Sequence, residues 1–197
     1  MTPNAERREA AILNAELRNF TRLSEVLAPE KVLELANDFF SLCAMAITAN
    51  AGKVLSVQND MMVAAFATGE RKEYANRALR AAQDLQREFG TLGEQWKKDF
   101  GLPAAISAAV HLGEAVFGMA GPIAHQQFVA FGDCVSVTER LVHRARAGEV
   151  ILSLDFMKAL GASAQTLGCE ELPPLEIGKR PPIPIYGMAL EKRLDFT

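Results

Sequence analysis

Three features predict an α+β fold for this chain. Its apolar residues change period along the sequence, giving the order strand, helix, strand, strand, helix, strand. Two short β-prone runs flank Asn59-Asp60, a pair that marks a tight hairpin. Hydrophobic residues make up 49% of 197, ample for one sizeable core. Together these match the ferredoxin-like βαββαβ plan, an antiparallel sheet with helices on one face, followed here by additional C-terminal strands and a helix.

The elements follow in order. Ala10–Leu17 (AAILNAEL) reads as the first strand, with Glu16 near its end, and Asn19-Phe20-Thr21 turn the chain. Pro29 suits the first position of a helix. Val32, Leu33, Leu35, Phe39, Phe40, Cys43 and Ile47 then keep helical spacing through about Ala49. Gly52 breaks that helix. Lys53–Gln58 and Met61–Ala67 form the hairpin, which puts Asp60 at an exposed turn near Glu16. Arg71–Phe89 is amphipathic, with Trp96 and Phe100 packing its end. Pro103 starts a strand over Ala104–His111, and Gly113 permits a turn into Ala115–Met119. A Gly-Pro loop leads to the strand Gln126–Phe131 and the helix Asp133–Ala145, which Asp133 is expected to cap. Glu149–Leu152 is a short strand, and Ser153 caps the helix Leu154–Leu160. The Ile177–Tyr186 segment is proline-rich, so the final strand, Ile185–Leu190, is expected at an edge. One domain over residues 10–190 is expected, with an arm at 1–9 and a tail at 191–197.

Bulk properties narrow the functions. With 21 basic and 24 acidic residues, net −3, nothing calls for nucleic acid or an acidic membrane as partner. Cys43, Cys134 and Cys169 are odd in number and far apart, which fits neither a disulfide framework nor a metal knuckle. Cys43, on the apolar helix face, reads as a small buried hydrophobe. The three histidines lack zinc-ligand spacing. The N-terminal MTPNAERREAA carries no signal-peptide run, and no stretch approaches about 20 apolar residues, so a soluble, cytoplasmic chain is expected.

The chemistry concentrates in Phe131–Leu141 (FGDCVSVTERL) and Val110–Gly118 (VHLGEAVFG). Ser136 and Arg140 lie four apart on one helix, hence on one face, and can present a hydroxyl and a guanidinium to one phosphate-bearing ligand. With ILNAELRNFTRLSE (Ile12–Glu25), GKVLSVQNDMMVAAF (Gly52–Phe66), GEVILS (Gly148–Ser153) and IGKRPPIPIYG (Ile177–Gly187), they resemble the class III nucleotidyl (adenylate/guanylate) cyclase family over nearly the whole chain. Each segment alone is weak. Their order and spacing together are specific.

The resemblance implies a homodimer with composite sites between subunits. In that family two aspartates bind two divalent metals, Mg²⁺ or Mn²⁺, which activate the ribose 3′-hydroxyl and hold the triphosphate. The first corresponds to Glu16, one methylene longer, which weakens an octahedral magnesium site without abolishing it. The second is retained as Asp60, and Asn59 tolerates the left-handed turn before it. The family's base-reading lysine corresponds to Ser56 and its partner to Val129. The ribose-orienting asparagine corresponds to Ser136. The charge-stabilising arginine is kept as Arg140, and Lys179 matches the terminal phosphate lysine.

The frame is therefore kept while the groups that grip purine and sugar are gone. A site that hydrogen-bonds its substrate discriminates by orders of magnitude, and positioning carries much of the rate. The leading expectation is a degenerate, homodimeric cyclase-homology protein in cytoplasmic signalling that binds a nucleoside triphosphate or a protein partner. A second is a working cyclase, by default on ATP, reading the base through another pocket. A third is a heterodimer with a more complete cyclase chain. Asn14 replaces the family's usual phenylalanine and, like His111, lies on a strand as a polar core residue.

Overall fold

A computed structural model describes residues 5–189. An eight-stranded sheet carries the architecture. Its strands are β1 (Glu6–Arg18), β2 (Lys53–Gln58), β3 (Met61–Phe66), β4 (Ala105–Ala120), β5 (Gln127–Phe131), β6 (Glu149–Ser153), β7 (Glu170–Leu175) and β8 (Ile183–Ala189). They run in the order β2-β3-β1-β4-β6-β8-β7, with β5 on the outer half of β4. The helices are α1 (Phe20–Val26), α2 (Pro29–Ala49), α3 (Arg71–Phe100), α4 (Asp133–Arg144) and α5 (Leu154–Leu160).

Period-two alternation sorts β1 into two faces. Ala11, Leu13, Ala15 and Leu17 meet Phe39, Cys43 and Ile47 of α2, the alanine-rich stripe of α3 and Phe156 of α5. Ala10 and Ile12 face the other way, toward Phe117 and Cys134. Val137, Leu141 and Val142 of α4 pack on that same side against Ala109 and Ile151. The helices thus occupy both faces, not the one face expected: α2, α3 and α5 lie on one side and α4 on the other. By length and composition alone α2 would pass for a membrane span, contrary to the sequence reading. Its Leu35, Phe39, Cys43 and Ile47 nonetheless sit in the core.

Several boundaries move for identifiable reasons. β1 starts at Glu6, four residues early, because its charged residues are paired: the Tyr74 hydroxyl donates to Glu9 Oε1 at 2.6 Å, and the Arg8 guanidinium lies 4.8 Å from the Phe117 ring centroid. α3 runs on to Phe100 through two glycines. A Cβ on Gly93 would come within 2.9 Å of the Ala104 carbonyl, so glycine is there for close approach and not as a breaker. β4 does not turn at Gly113 but continues for 16 residues, held by β1 on one side and β5 on the other.

At the C-terminal end, β8 is interior, bonded to β6 and β7, and the edge belongs to β7, whose sequence EELPPL gave no strand signal. Pro173 and Pro174 fall in its irregular register. Leu190 and the expected tail lie outside the described residues. Ser153 caps α5 as expected, its Oγ accepting from Phe156 N at 3.3 Å. Asp133 does not cap α4; it sits in the first turn, and Arg180 Nη1 donates to its two oxygens at 2.7 and 2.6 Å.

Candidate functional site

The hairpin and the end of β1 build the site together. Antiparallel pairing sets Glu16 opposite Met61, and Leu17 N donates to the Asp60 carbonyl at 2.8 Å. Asn59 takes the left-handed conformation at φ 46, which closes the two-residue turn. Glu16 and Asp60 therefore line one concave pocket of about 480 Å³, along with Arg18, Asn19, Arg22 and Glu25. Asn19 is also left-handed, φ 70, and its side chain donates to the Pro103 carbonyl at 2.7 Å, fixing the rim.

Burial dominates the electrostatics of Glu16 and pushes its carboxyl above the usual range. Arg18 and His143 pull it down, and Asp60 pushes it up by like-charge repulsion. Arg18 Nη1 lies 3.1 Å from Glu16 Oε1, while the buried Oε2 has no hydrogen-bond partner. An orphaned carboxylate oxygen beside a second carboxylate is a hard-oxygen environment that fits magnesium or manganese. Glu16 and Asp60 are the residues that would hold such an ion. Among the described residues no group of three acidic, histidine or cysteine side chains forms a complete cage, so remaining ligands would come from backbone, water or phosphate.

The other expected site residues lie elsewhere. Ser56 is half-buried on β2 opposite Val63, and Val129 is on β5 opposite Gly118. Their strands are neighbours, and Lys53 Nζ sits 3.3 Å from the Phe128 ring centroid between them. Ser136 and Arg140 are exposed on α4, and Lys179 is exposed in the β7–β8 connection. None of these five lines the carboxylate pocket. One chain thus brings Glu16 and Asp60 together and leaves the guanidinium, hydroxyl and ammonium facing outward.

Beneath α4 lies a second polar group. His111 Nδ1 is 2.8 Å from Ser153 Oγ, and burial keeps the imidazole's pKa below its ordinary value. Asn14 and Ser107 are buried on the same face with Asn14 Oδ1 and Ser107 Oγ unpaired. Asn14 is thus in the core as expected, but it is not fully satisfied. Burial raises the Cys43 thiol far out of reach and the Cys134 thiol to about 11, so neither is a ready nucleophile. Arg18 and Arg22 escaped the sequence reading, although the i, i+2 relation of Arg18 to Glu16 on a strand was a usable signal.

The family model for the adenylate and guanylate cyclase catalytic domain matches residues 3–182, and the chain belongs to that family. Adenylate cyclase 1 of Rhizobium meliloti (strain 1021) is 28% identical over 142 residues, 70% of this chain and 21% of the relative. An adenylate cyclase of Anabaena cylindrica is 26% identical over 138 residues, 70% of this chain and 27% of the relative. The chain thus spans well under a third of the curated relatives it matches. Among solved structures, the adenylyl cyclase CyaB from P. aeruginosa superposes with a TM-score of 0.88 at 20% identity, covering 96% of this chain and 98% of that one. The guanylyl cyclase Cya2 gives 0.83 at 24% identity, covering 93% of each. At these identities the likeness establishes the shared fold.

Proposed function

We propose that this chain is a cyclase-homology signalling domain whose purine-reading half has degenerated. It binds a nucleoside triphosphate with a divalent ion in the Glu16–Asp60 pocket and acts as a homodimer in the cytoplasm. The observation that carries the reading is that Glu16 and Asp60 share one pocket, while Ser56 and Val129 stand where the family resemblance puts the base readers. Val129 offers a base no hydrogen bond, and Ser56 offers a short neutral hydroxyl. Homodimerisation would supply what one chain lacks, because Ser136 and Arg140 are exposed and do not line the chain's own pocket. Two solved neighbours are described in complex with GTP and with ATPalphaS, which supports nucleotide binding by the fold.

The test has two arms. Thermal shift with Mn²⁺ and each of ATP, GTP, CTP and UTP should raise the melting point. A hundredfold excess over Kd contributes about 2.7 kcal/mol by mass action, roughly 5–10 °C for a domain of this size. Incubation of the same mixtures should yield no cyclic nucleotide at ordinary cyclase rates. Such turnover overturns the degenerate reading, and no shift with any triphosphate overturns nucleotide binding.

The second reading, a working cyclase, is favoured by the juxtaposition of Glu16 and Asp60 and by the exposure of Arg140 on α4. A divalent ion held there would lower the pKa of the ribose 3′-hydroxyl and steady the triphosphate. Arg140 of one subunit would then oppose charge developing at the α-phosphate on the other. This reading predicts that Asp60→Ala abolishes cyclic-nucleotide production; full activity in that variant would sink it.

A further inference from the structure

We propose that Arg18 is a built-in cation of the pocket: its guanidinium takes the place beside Glu16 that one of two divalent ions would fill, so each chain binds a single divalent ion, on the Asp60 side. The inference rests on the triphosphate-binding reading above and specifies its charge scheme.

Strand alternation fixes the geometry. Residues two apart on β1 project from the same face, so Arg18 stands beside Glu16 on the side that α4 covers. Nη1 reaches Glu16 Oε1 at 3.1 Å, with the two side chains only 31% and 15% exposed. A guanidinium keeps its charge at any pH of interest. A divalent ion approaching Glu16 must displace this cation or sit beside it in a half-buried pocket, where repulsion between like charges is far stronger than in water. The pocket's other arginine, Arg22, pairs with Glu25 at 3.2 Å. Asp60 makes no ion pair among the described residues, so its carboxylate is open to metal, and Glu16 can join it only through the unpartnered Oε2.

The planar fork of Arg18 also suits phosphate oxygens better than a second hydrated metal ion would. It can present two parallel N–H donors to one phosphate group. The same side chain therefore serves as counter-ion to Glu16 in the empty pocket and as phosphate partner when a triphosphate enters.

Isothermal titration of the full chain with MnCl₂, alone and with a non-hydrolysable ATP analogue, tests this. Wild type should bind one Mn²⁺ per chain. Arg18→Ala should bind two, or bind the first roughly tenfold more tightly. Arg18→Lys keeps the charge and should keep the wild-type Mn²⁺ stoichiometry, while weakening the ATP analogue by loss of the planar fork. Glu16→Gln in the Arg18→Ala background should remove the gained site. Arg18→Gln, checked by its thermal melt, guards against a folding defect of the alanine variant. Two Mn²⁺ bound by wild type, no Mn²⁺ bound by any variant, or identical stoichiometry and affinity in wild type and Arg18→Ala overturns the proposal. Loss of analogue binding with the Mn²⁺ pattern intact would count against triphosphate recognition and leave the role of Arg18 standing.

Discussion

Gly113→Ala is the sharpest probe of how the sheet positions α4, the helix that presents Ser136 and Arg140. A Cβ built on Gly113 lies 2.9 Å from Cys134 Cβ, in the first turn of α4. Carbon atoms prefer about 3.5–4.0 Å, so the contact is short by about 0.6–1.1 Å. That turn has little freedom to retreat. The Cys134 thiol donates to the Glu114 carbonyl at 3.1 Å, and Thr138 Oγ1 donates to the Cys134 carbonyl at 2.6 Å. Overpacking of this kind costs about 1–3 kcal/mol, a fall of roughly 2–12 °C in melting temperature for a chain of this length. Differential scanning calorimetry reads it directly. Cys134→Gly removes the opposing atom, so the double variant should recover part of the loss, with a coupling energy of about 0.5–3 kcal/mol. An unchanged melting temperature in Gly113→Ala, or strictly additive single effects, would refute the close-approach account.

Glu16→Gln should raise the melting temperature at pH 7. Burial lifts the folded pKa of Glu16 above its ordinary value of 4.5, so the folded state holds the proton more tightly and ionisation costs stability as pH rises through the folded pKa. The advantage of the variant should fade below pH 4.5; an advantage that grows on acidification would reverse the sign of the argument. Ser153→Ala should lose roughly 2–4 kcal/mol in urea denaturation, combining a lost cap with an unpaired buried imidazole at His111. Asp133→Ala removes only a pair whose acid is 70% exposed and should cost under about 1 kcal/mol. Asn14→Leu replaces an amide whose Oδ1 has no partner and should be neutral or stabilising by thermal melt; a loss of several degrees would show the amide to be satisfied.

Local rules carried much of the fold. The Asn59-Asp60 hairpin, the Pro29 helix start and the Ser153 cap each depend on one or two residues reading their own backbone, and all three appear where the sequence places them. The misses depend on partners distant in sequence. Glycines 93 and 113 look like breakers until Ala104 and Cys134 stand against them. Charges at Glu6–Glu9 look like a loose arm until Tyr74, Arg71 and Phe117 meet them. β7 hides behind its prolines because only β8 gives it a ladder. In the site, the hairpin rule foretold that Glu16 and Asp60 would meet. The ion pair of Arg18, the burial of Asn14 and Ser107 beneath α4, and the exposure of Ser136 and Arg140 required the sheet faces to be known.

The long ladder between β1 and β4 has a kinetic consequence. Arg18 pairs with Ala105 and Glu6 with Phe117, so most of the chain must be in place before this seam can close. Such distant pairings slow folding, whereas the β2–β3 hairpin closes locally within microseconds. Asp60 is thus in place early, and Glu16 reaches it through the β1–β3 ladder, a shorter loop than the β1–β4 seam, so the carboxylate pair can form before that seam closes.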